Sequence, residues 1–215
     1  MSGTLPMRAP LFPIAGAILF PRAQLPLHIF EPRYREMVRD AVDGGGHIAV
    51  VQPQLVETPK GEEPLVYPVG CVGELVGIEE LPDGRFNIVL NGSNRFRIIG
   101  EVDLQTPYRN ADLDVAAFDD REPPALPMAE RAEVEQEARR LGDSLGLAVD
   151  WSAVSRLDDE MLVNAIAQVA PFDVSAKQAL LEAETLVGRT DLLVQLMQFL
   201  RLSQTGGSDI QPTLQ

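Results

Sequence analysis

Residues 10–42, PLFPIAGAILFPRAQLPLHIFEPRYREMVRDAV, change their apolar period part-way along, and that change decides the fold. The first half reads as strand, turns at Pro21-Arg22-Ala23-Gln24, and reads as strand again over residues 25–30. From Pro32 onward, Tyr34, Met37, Val38 and Ala41 recur at i, i+3, i+4 and i+7, which is one face of a helix. Pro32 suits the first helical position, where its missing N–H costs nothing. Gly44, Gly45 and Gly46 then stop the helix. Two strands and a helix that folds back over them are therefore expected within the first forty-odd residues.

Downstream, the strand pattern continues. His47-Ile48-Ala49-Val50-Val51 is a short apolar run, and residues 52–64 are rich in proline, glycine and charge, as a long solvated loop would be. Residues 70–80 read as a strand whose glycines mark bulges or tight bends. Asp83-Gly84 is a hairpin signal, because glycine supplies the positive φ such turns need. Asn91-Gly92 has the same form and predicts a second turn. Phe86, Ile88 and Leu90 alternate with Arg85, Asn87 and Val89, and Phe96 and Ile98 alternate with Arg95 and Arg97. Further strands are expected at 101–105 and 109–116. A small closed or nearly closed barrel is the economical way to hide the edges of such a meander.

Composition shifts at residues 119–127, DDREPPALP, which read as a linker, and everything after them reads as helix. Residues 128–145 end at Gly146, and a second helix begins at Asp158-Asp159-Glu160 and stops at Pro171. Ser175 and Gln178 have the spacing of a capping box for a helix running to Val187 and Gly188. Thr190 is expected to cap the last helix, with Leu192, Leu193, Leu196, Phe199 and Leu200 as its apolar stripe. The expected organisation is α+β: a β-rich subdomain at 1–118 with one short helix, a linker at 119–127, a helical bundle at 128–203 and a flexible tail at 204–215.

Charge narrows the function. The 215-residue chain carries a formal net charge of −14. The acidic excess is spread, with 15 acidic and 10 basic side chains in 1–118 and 13 and 7 in 128–204. A phosphate-binding surface normally shows the opposite balance, so nucleic acid and anionic membrane are disfavoured partners. The apolar run after Arg8 is broken by Pro13 and Pro21 and reads as strand, not as a signal peptide. No other run approaches the ~20 apolar residues that cross a bilayer, so a cytoplasmic protein is expected.

Candidate catalytic groups are sparse. Cys71, the only cysteine, reads as a small buried thiol. His28 and His47 lie in separate segments, and no cysteine–histidine cluster suits zinc. There is no G-x-x-x-x-G-K-[ST] loop to cradle a triphosphate. The two lysines, Lys60 in a loop and Lys177 in the first turn of a helix, make no credible Ser-Lys pair. Asp119-Asp120 and Asp158-Asp159-Glu160 are explained by a linker and a helix start before any cation is needed. No cofactor is implied.

P-L-F-P, L-F-P and L-P-L-H-I-F-E-P-R-Y-x-x-M resemble the start of the Lon amino-terminal domain, the substrate-recognition domain of ATP-dependent Lon proteases. E-E-L-P-D-G-R-F, G-S-N-R-F-R-I and P-Y-R-N-A are similar to its middle, and D-V-S-A-K-Q-A-L-L-E and R-T-D-L-L-V-Q-L to its end. The resemblance covers about residues 8–202. It implies a PUA-like barrel followed by a helical bundle, without the ATPase and peptidase modules of the whole protease. It further implies a stand-alone, non-catalytic binder of unfolded or damaged polypeptide, an adaptor with a protease or chaperone as partner. An RNA-binding protein on a PUA-like barrel is the alternative. Arg33, Tyr34, Arg97 and Tyr108 are the candidate peptide-binding residues, because arginine and tyrosine combine apolar contact area with hydrogen-bonding tips. Phe30, Glu31 and Pro32 are read as a structural corner, with Phe30 and Tyr34 in the core and an Arg–Glu pair fixing it.

Overall fold

The structure, a computed structural model, describes residues 6–56, 59, 63–120 and 125–205. The chain divides into two compact units, Met1–Glu122 and Pro123–Gln215.

The first unit holds β1 (Met7–Pro13), β2 (Gln24–Ile29), α1 (Pro32–Asp43), β3 (His47–Val51), β4 (Val69–Glu80), β5 (Phe86–Val102) and β6 (Asn110–Asp114). The sheet runs β2-β5-β4-β3-β1-β6, and β6 returns to pair with β5, which closes a barrel. Among the described residues only β1 and β3 pair in parallel. The seventeen residues of β5 make the closure possible. Its first half pairs with β2, from Phe86 opposite Ile29 to Asn91 opposite Gln24. Its second half pairs with β6, from Arg97 opposite Asp114 to Val102 opposite Asn110.

Both faces of the sheet are apolar where they are covered. Inside the barrel lie Leu11, Val51, Val72, Phe96, Ala111 and Leu113. On the other face Phe12, Ile48, Val50, Ile88 and Leu90 pack with α1, whose buried residues are the expected Tyr34, Met37, Val38 and Ala41. A strand between two cores must be apolar at every position, which is why β3 reads as an unbroken run.

The turns have separable causes. Pro21 and Arg22 occupy a turn closed by the Ala23 N–H donating to the Phe20 carbonyl at 3.1 Å, with Arg22 at φ 61°. In the β4–β5 hairpin the Gly84 N–H donates to the Leu81 carbonyl at 2.8 Å, and Gly84 alone takes positive φ there, at 76°. Gly73 and Gly77 sit at register shifts of β4, as glycines at bulges should. The expected turn at Asn91-Gly92 does not form, and β5 runs straight through it. Gly92 is needed for closeness instead: a Cβ there would lie 2.0 Å from the Phe20 carbonyl oxygen.

The second unit holds α2 (Met128–Leu145), α3 (Trp151–Val154), α4 (Asp159–Val169), α5 (Val174–Glu182) and α6 (Leu186–Thr205). Gly146 ends α2 in the left-handed conformation, and Asp158 caps α4 by accepting from the Met161 N–H at 2.8 Å. The cap of α5 is Asp173, not Ser175, since its carboxylate accepts from the Ala176 N–H at 2.7 Å. Gly188 does not end a helix, and Thr190 does not cap one. Both lie within α6, where Thr185 Oγ1 accepts from the Gly188 N–H and Thr190 is buried. The buried stripe of α6 is rotated from expectation, to Leu186, Leu193, Val194 and Met197, and Phe199 is exposed. Residues 206–215 of the expected tail, and residues 121–124 of the expected linker, lie outside the described residues, as does Lys60. Among the described residues no helix is long and apolar enough to cross a membrane.

Candidate functional site

The corner where β2 hands over to α1 is where three of the four predicted residues, Arg33, Tyr34 and Tyr108, meet. Along β2, Leu25 and Ile29 are buried while Gln24, Pro26 and His28 point outward. Phe30 follows that alternation and is 61% exposed, so it is not a core residue. Ile29 fills the core position instead. Phe30 stacks on His28, ring centroids 6.4 Å apart. Tyr34 is buried as expected, tilted against Phe12 at 4.6 Å.

Arg33 caps the corner. Its guanidinium lies 4.5 Å over the Tyr34 ring, its Nε donates to Glu31 at 3.2 Å, and its Nη1 donates to Glu63 at 2.5 Å. The expected Arg–Glu pair is thus present, and Glu63 joins it. Burial works against the charge of Arg33, but Tyr34, Glu63 and Glu31 outweigh it and hold its pKa above the ordinary value. Burial, with Glu31 and Glu63 close by, also raises the Tyr34 pKa against the pull of Arg33 and Arg109.

Two depressions flank this pair. One, of ≈ 320 Å³, is walled by Phe12, Pro13, Ile14 and Ala15 on one side and by Leu27, His28, Ile29 and Phe30 on the other. The second, of ≈ 220 Å³, is lined by Leu11, Thr106, Tyr108 and Arg109. Both share Pro13, Arg33, Tyr34 and Glu63, so they form one groove with an apolar half and a polar half. In the polar half Tyr108 Oη donates to Asp40 at 2.6 Å, and burial together with that bond pushes its pKa well above the usual phenol range. Arg109 donates to Glu101 and, at 2.8 Å, to the Pro64 carbonyl.

Three of the four candidates, Arg33, Tyr34 and Tyr108, therefore line one groove. Arg97 does not. It lies on the second half of β5, and its guanidinium is 5.9 Å from the Phe118 ring. Sequence reasoning missed Arg109 and Glu63, whose segments are far apart in the chain and carry no shared motif.

Elsewhere the acidic runs serve structure. Asp120 pairs with buried Arg95, Asp158 caps α4, and Asp159 binds Arg131 at 2.5 Å. Lys177 is buried and donates to the Gln168 carbonyl at 2.9 Å, and burial lowers its pKa. Among the described residues no group of three or more His, Cys, Asp or Glu is placed to hold a metal ion.

The family of the ATP-dependent protease La (LON) substrate-binding domain matches residues 8–198. The chain belongs to this family. It is 26% identical over 201 residues to Lon protease 2 of Desulfotalea psychrophila, covering 87% of this chain and 24% of that protein. It is also 26% identical over 203 residues to Lon protease 2 of Myxococcus xanthus, covering 90% and 24%. The chain thus spans about a quarter of the length of these two relatives. Among solved structures, a Lon N-terminal domain protein from Xanthomonas campestris matches with a TM-score of 0.63 at 18% identity, covering 88% of this chain and 98% of that one. The N-terminal domain of Mycobacterium avium complex Lon protease matches with a TM-score of 0.65 at 15% identity, covering 89% and 98%. The α+β fold is that of Lon N-terminal domains.

Proposed function

We propose that this chain recognises unfolded or damaged polypeptide without cutting it, and hands it to a protease or chaperone in the cytoplasm as an adaptor. The observation that carries the reading is the groove at the strand-to-helix corner, where Arg33, Tyr34 and Tyr108 converge beside exposed Phe30. Aromatic and arginine side chains at one depression are the usual makings of a protein-binding hot spot. Membership in a substrate-binding family supports the same reading. The Ser-Lys and nucleotide motifs of a protease are not in the sequence. In this reading the β-rich segment 1–118 supplies the groove, and the helical segment 128–203 beyond the linker is a separate module.

An RNA-binding role finds no such support. Arg8, Arg33, Arg39, Arg85, Arg95 and Arg109 are each paired with a carboxylate, which breaks up any basic track for phosphates. Fluorescence anisotropy at low salt, with a labelled unfolded polypeptide and a labelled single-stranded RNA, separates the two. The polypeptide is expected to bind and the RNA is not. RNA binding that weakens steeply with salt, with no polypeptide binding, would overturn the proposal.

A further inference from the structure

The apolar half of the groove runs between two sheet edges. Leu27, His28 and Ile29 of β2 with Phe30 just after it, and four residues from β1 and the loop after it, line it. Successive residues of a strand point to opposite faces, so a cavity that touches all of them lies along the edge. The topology explains the opening. The Leu11 N–H still donates to the Arg109 carbonyl at 2.8 Å, and past Leu11 β1 keeps only β3 among the described residues, while β2 pairs there with β5 alone.

Which backbone groups face the opening follows from register. Gly92 N–H donates to the Ala23 carbonyl at 2.9 Å, and these two residues continue the β2–β5 register in which Gln24 faces Asn91. Hydrogen-bonded pairs alternate along an antiparallel ladder. Leu25, Leu27 and Ile29 therefore bond β5, and the main-chain groups of Pro26 and His28 point to the outer edge. Pro26 offers a carbonyl and no N–H; His28 offers both. On the facing wall Pro13 likewise has no N–H to give. Prolines at both walls blunt the edges against indiscriminate pairing, and they leave His28 as the one full backbone contact at the middle of β2.

The charge of the rim limits what can use that contact. Glu31 and Glu63 are 43% and 52% exposed, whereas Arg33 between them is 34% exposed and bonded to both. Asp40 and Glu101 are bonded to Tyr108 and Arg109 of the polar half, and the whole chain carries −14. Such a rim favours a positively charged partner. We infer that the groove takes an extended basic polypeptide segment, added as an extra strand to the outer edge of β2 through the His28 backbone. This inference rests on the polypeptide-recognition reading and names its mode and substrate class.

The test uses the full chain and three fluorescein-labelled probes: a short peptide of alternating Val and Lys, the same peptide N-methylated along one edge, and its Val-Glu counterpart. The Val-Lys peptide is expected to bind, and methylation of the pairing edge to weaken it about tenfold by removing its hydrogen bonds to β2. The Val-Glu peptide is expected to bind more weakly still. His28→Pro removes the edge N–H without touching the β5 ladder and is expected to mimic methylation, and Pro26→Ala, which adds a donor, to tighten binding. Equal affinity for the methylated and unmethylated Val-Lys peptides would overturn strand addition while leaving polypeptide recognition standing. Preference for Val-Glu would overturn the basic class. Failure of all three probes and of an unfolded polypeptide would overturn both this inference and the proposed function.

Discussion

Arg95 and Asp120 face each other inside the barrel unit, their side chains only 4% and 2% exposed, with Nη2 and Oδ1 2.8 Å apart. The same carboxylate accepts from the Arg95 main-chain N–H at 2.8 Å, and the Arg95 guanidinium lies 4.3 Å over the Phe118 ring. Arg22 adds a bond to the Asp120 carbonyl at 2.7 Å. Asp120 thus ties the end of the unit to β5 and to the β1–β2 loop. Removing one partner of a buried pair leaves the other charge unpaired, so Asp120→Ala is expected to destabilise the unit by about 3–5 kcal/mol. Replacing both, with Met at 95 and Leu at 120, is expected to recover much of that loss. Urea unfolding midpoints of the two variants check this.

Gly92 gives a sharper steric prediction. Its added Cβ would meet the Phe20 carbonyl oxygen at 2.0 Å and the carbonyl carbon at 2.8 Å, both main-chain atoms that cannot swing aside. Gly92→Ala is expected to cost about 2 kcal/mol or more through backbone displacement. Gly100→Ala, where nothing lies within 4 Å, is the control and is expected to move the midpoint little.

These two sites mark what the sequence could convey. Period is local, so the buried face of α1 and the alternation of Phe86, Ile88 and Leu90 were legible residue by residue. The shift in period and composition carried the order of the β-rich and helical units, and family likeness gave the same order. Gly92 has the form of a turn signal, but its cause is the Phe20 carbonyl of the β1–β2 loop pressing on it, which no local pattern encodes. The burial of Asp120 depends on Arg95, twenty-five positions earlier. The exposure of Phe30 was within reach, because it shares the parity of His28. Ser175 missed its role because Asp173 offers a carboxylate two positions earlier. In the groove, Arg33 and Tyr34 were readable from the corner, whereas Glu63 and Arg109 arrive only by folding.

The corner predicts a separation of stability from binding. Phe30 is exposed, so Phe30→Ala is expected to shift stability by no more than about 0.5 kcal/mol and to weaken capture of unfolded polypeptide several-fold. Tyr34, on the buried face of α1, packs against Phe12, so Tyr34→Ala is expected to cost about 3 kcal/mol or more. Thermal melts paired with anisotropy titrations distinguish the two.

Acid is expected to loosen the helical unit through Asp159. Burial would raise its pKa, but Arg131 and the Leu126 N–H outweigh that and hold it below the ordinary 3.8. A carboxyl depressed in the folded state lends stability that is present above the unfolded pKa and is lost as pH falls through the folded one. Asp159→Asn is therefore expected to lower stability at neutral pH and to flatten its decline below pH ~4. Denaturant midpoints followed by helical circular dichroism across that range test it.

At the alkaline end Tyr108 behaves oppositely. Burial first, then its bond to Asp40, raise its pKa from the ordinary 10.0. Its contribution is fully present below that value and is lost as pH climbs through the raised one. In an ultraviolet phenolate titration Tyr108→Phe is expected to remove a late-titrating tyrosine.

Hydrogen exchange of the full chain, with and without saturating unfolded polypeptide, tests the recognition groove most directly. Protection is expected at residues 26–34 and 106–109, with the helical unit unchanged. Protection confined to α2–α6, or none at all under saturation, would contradict the account.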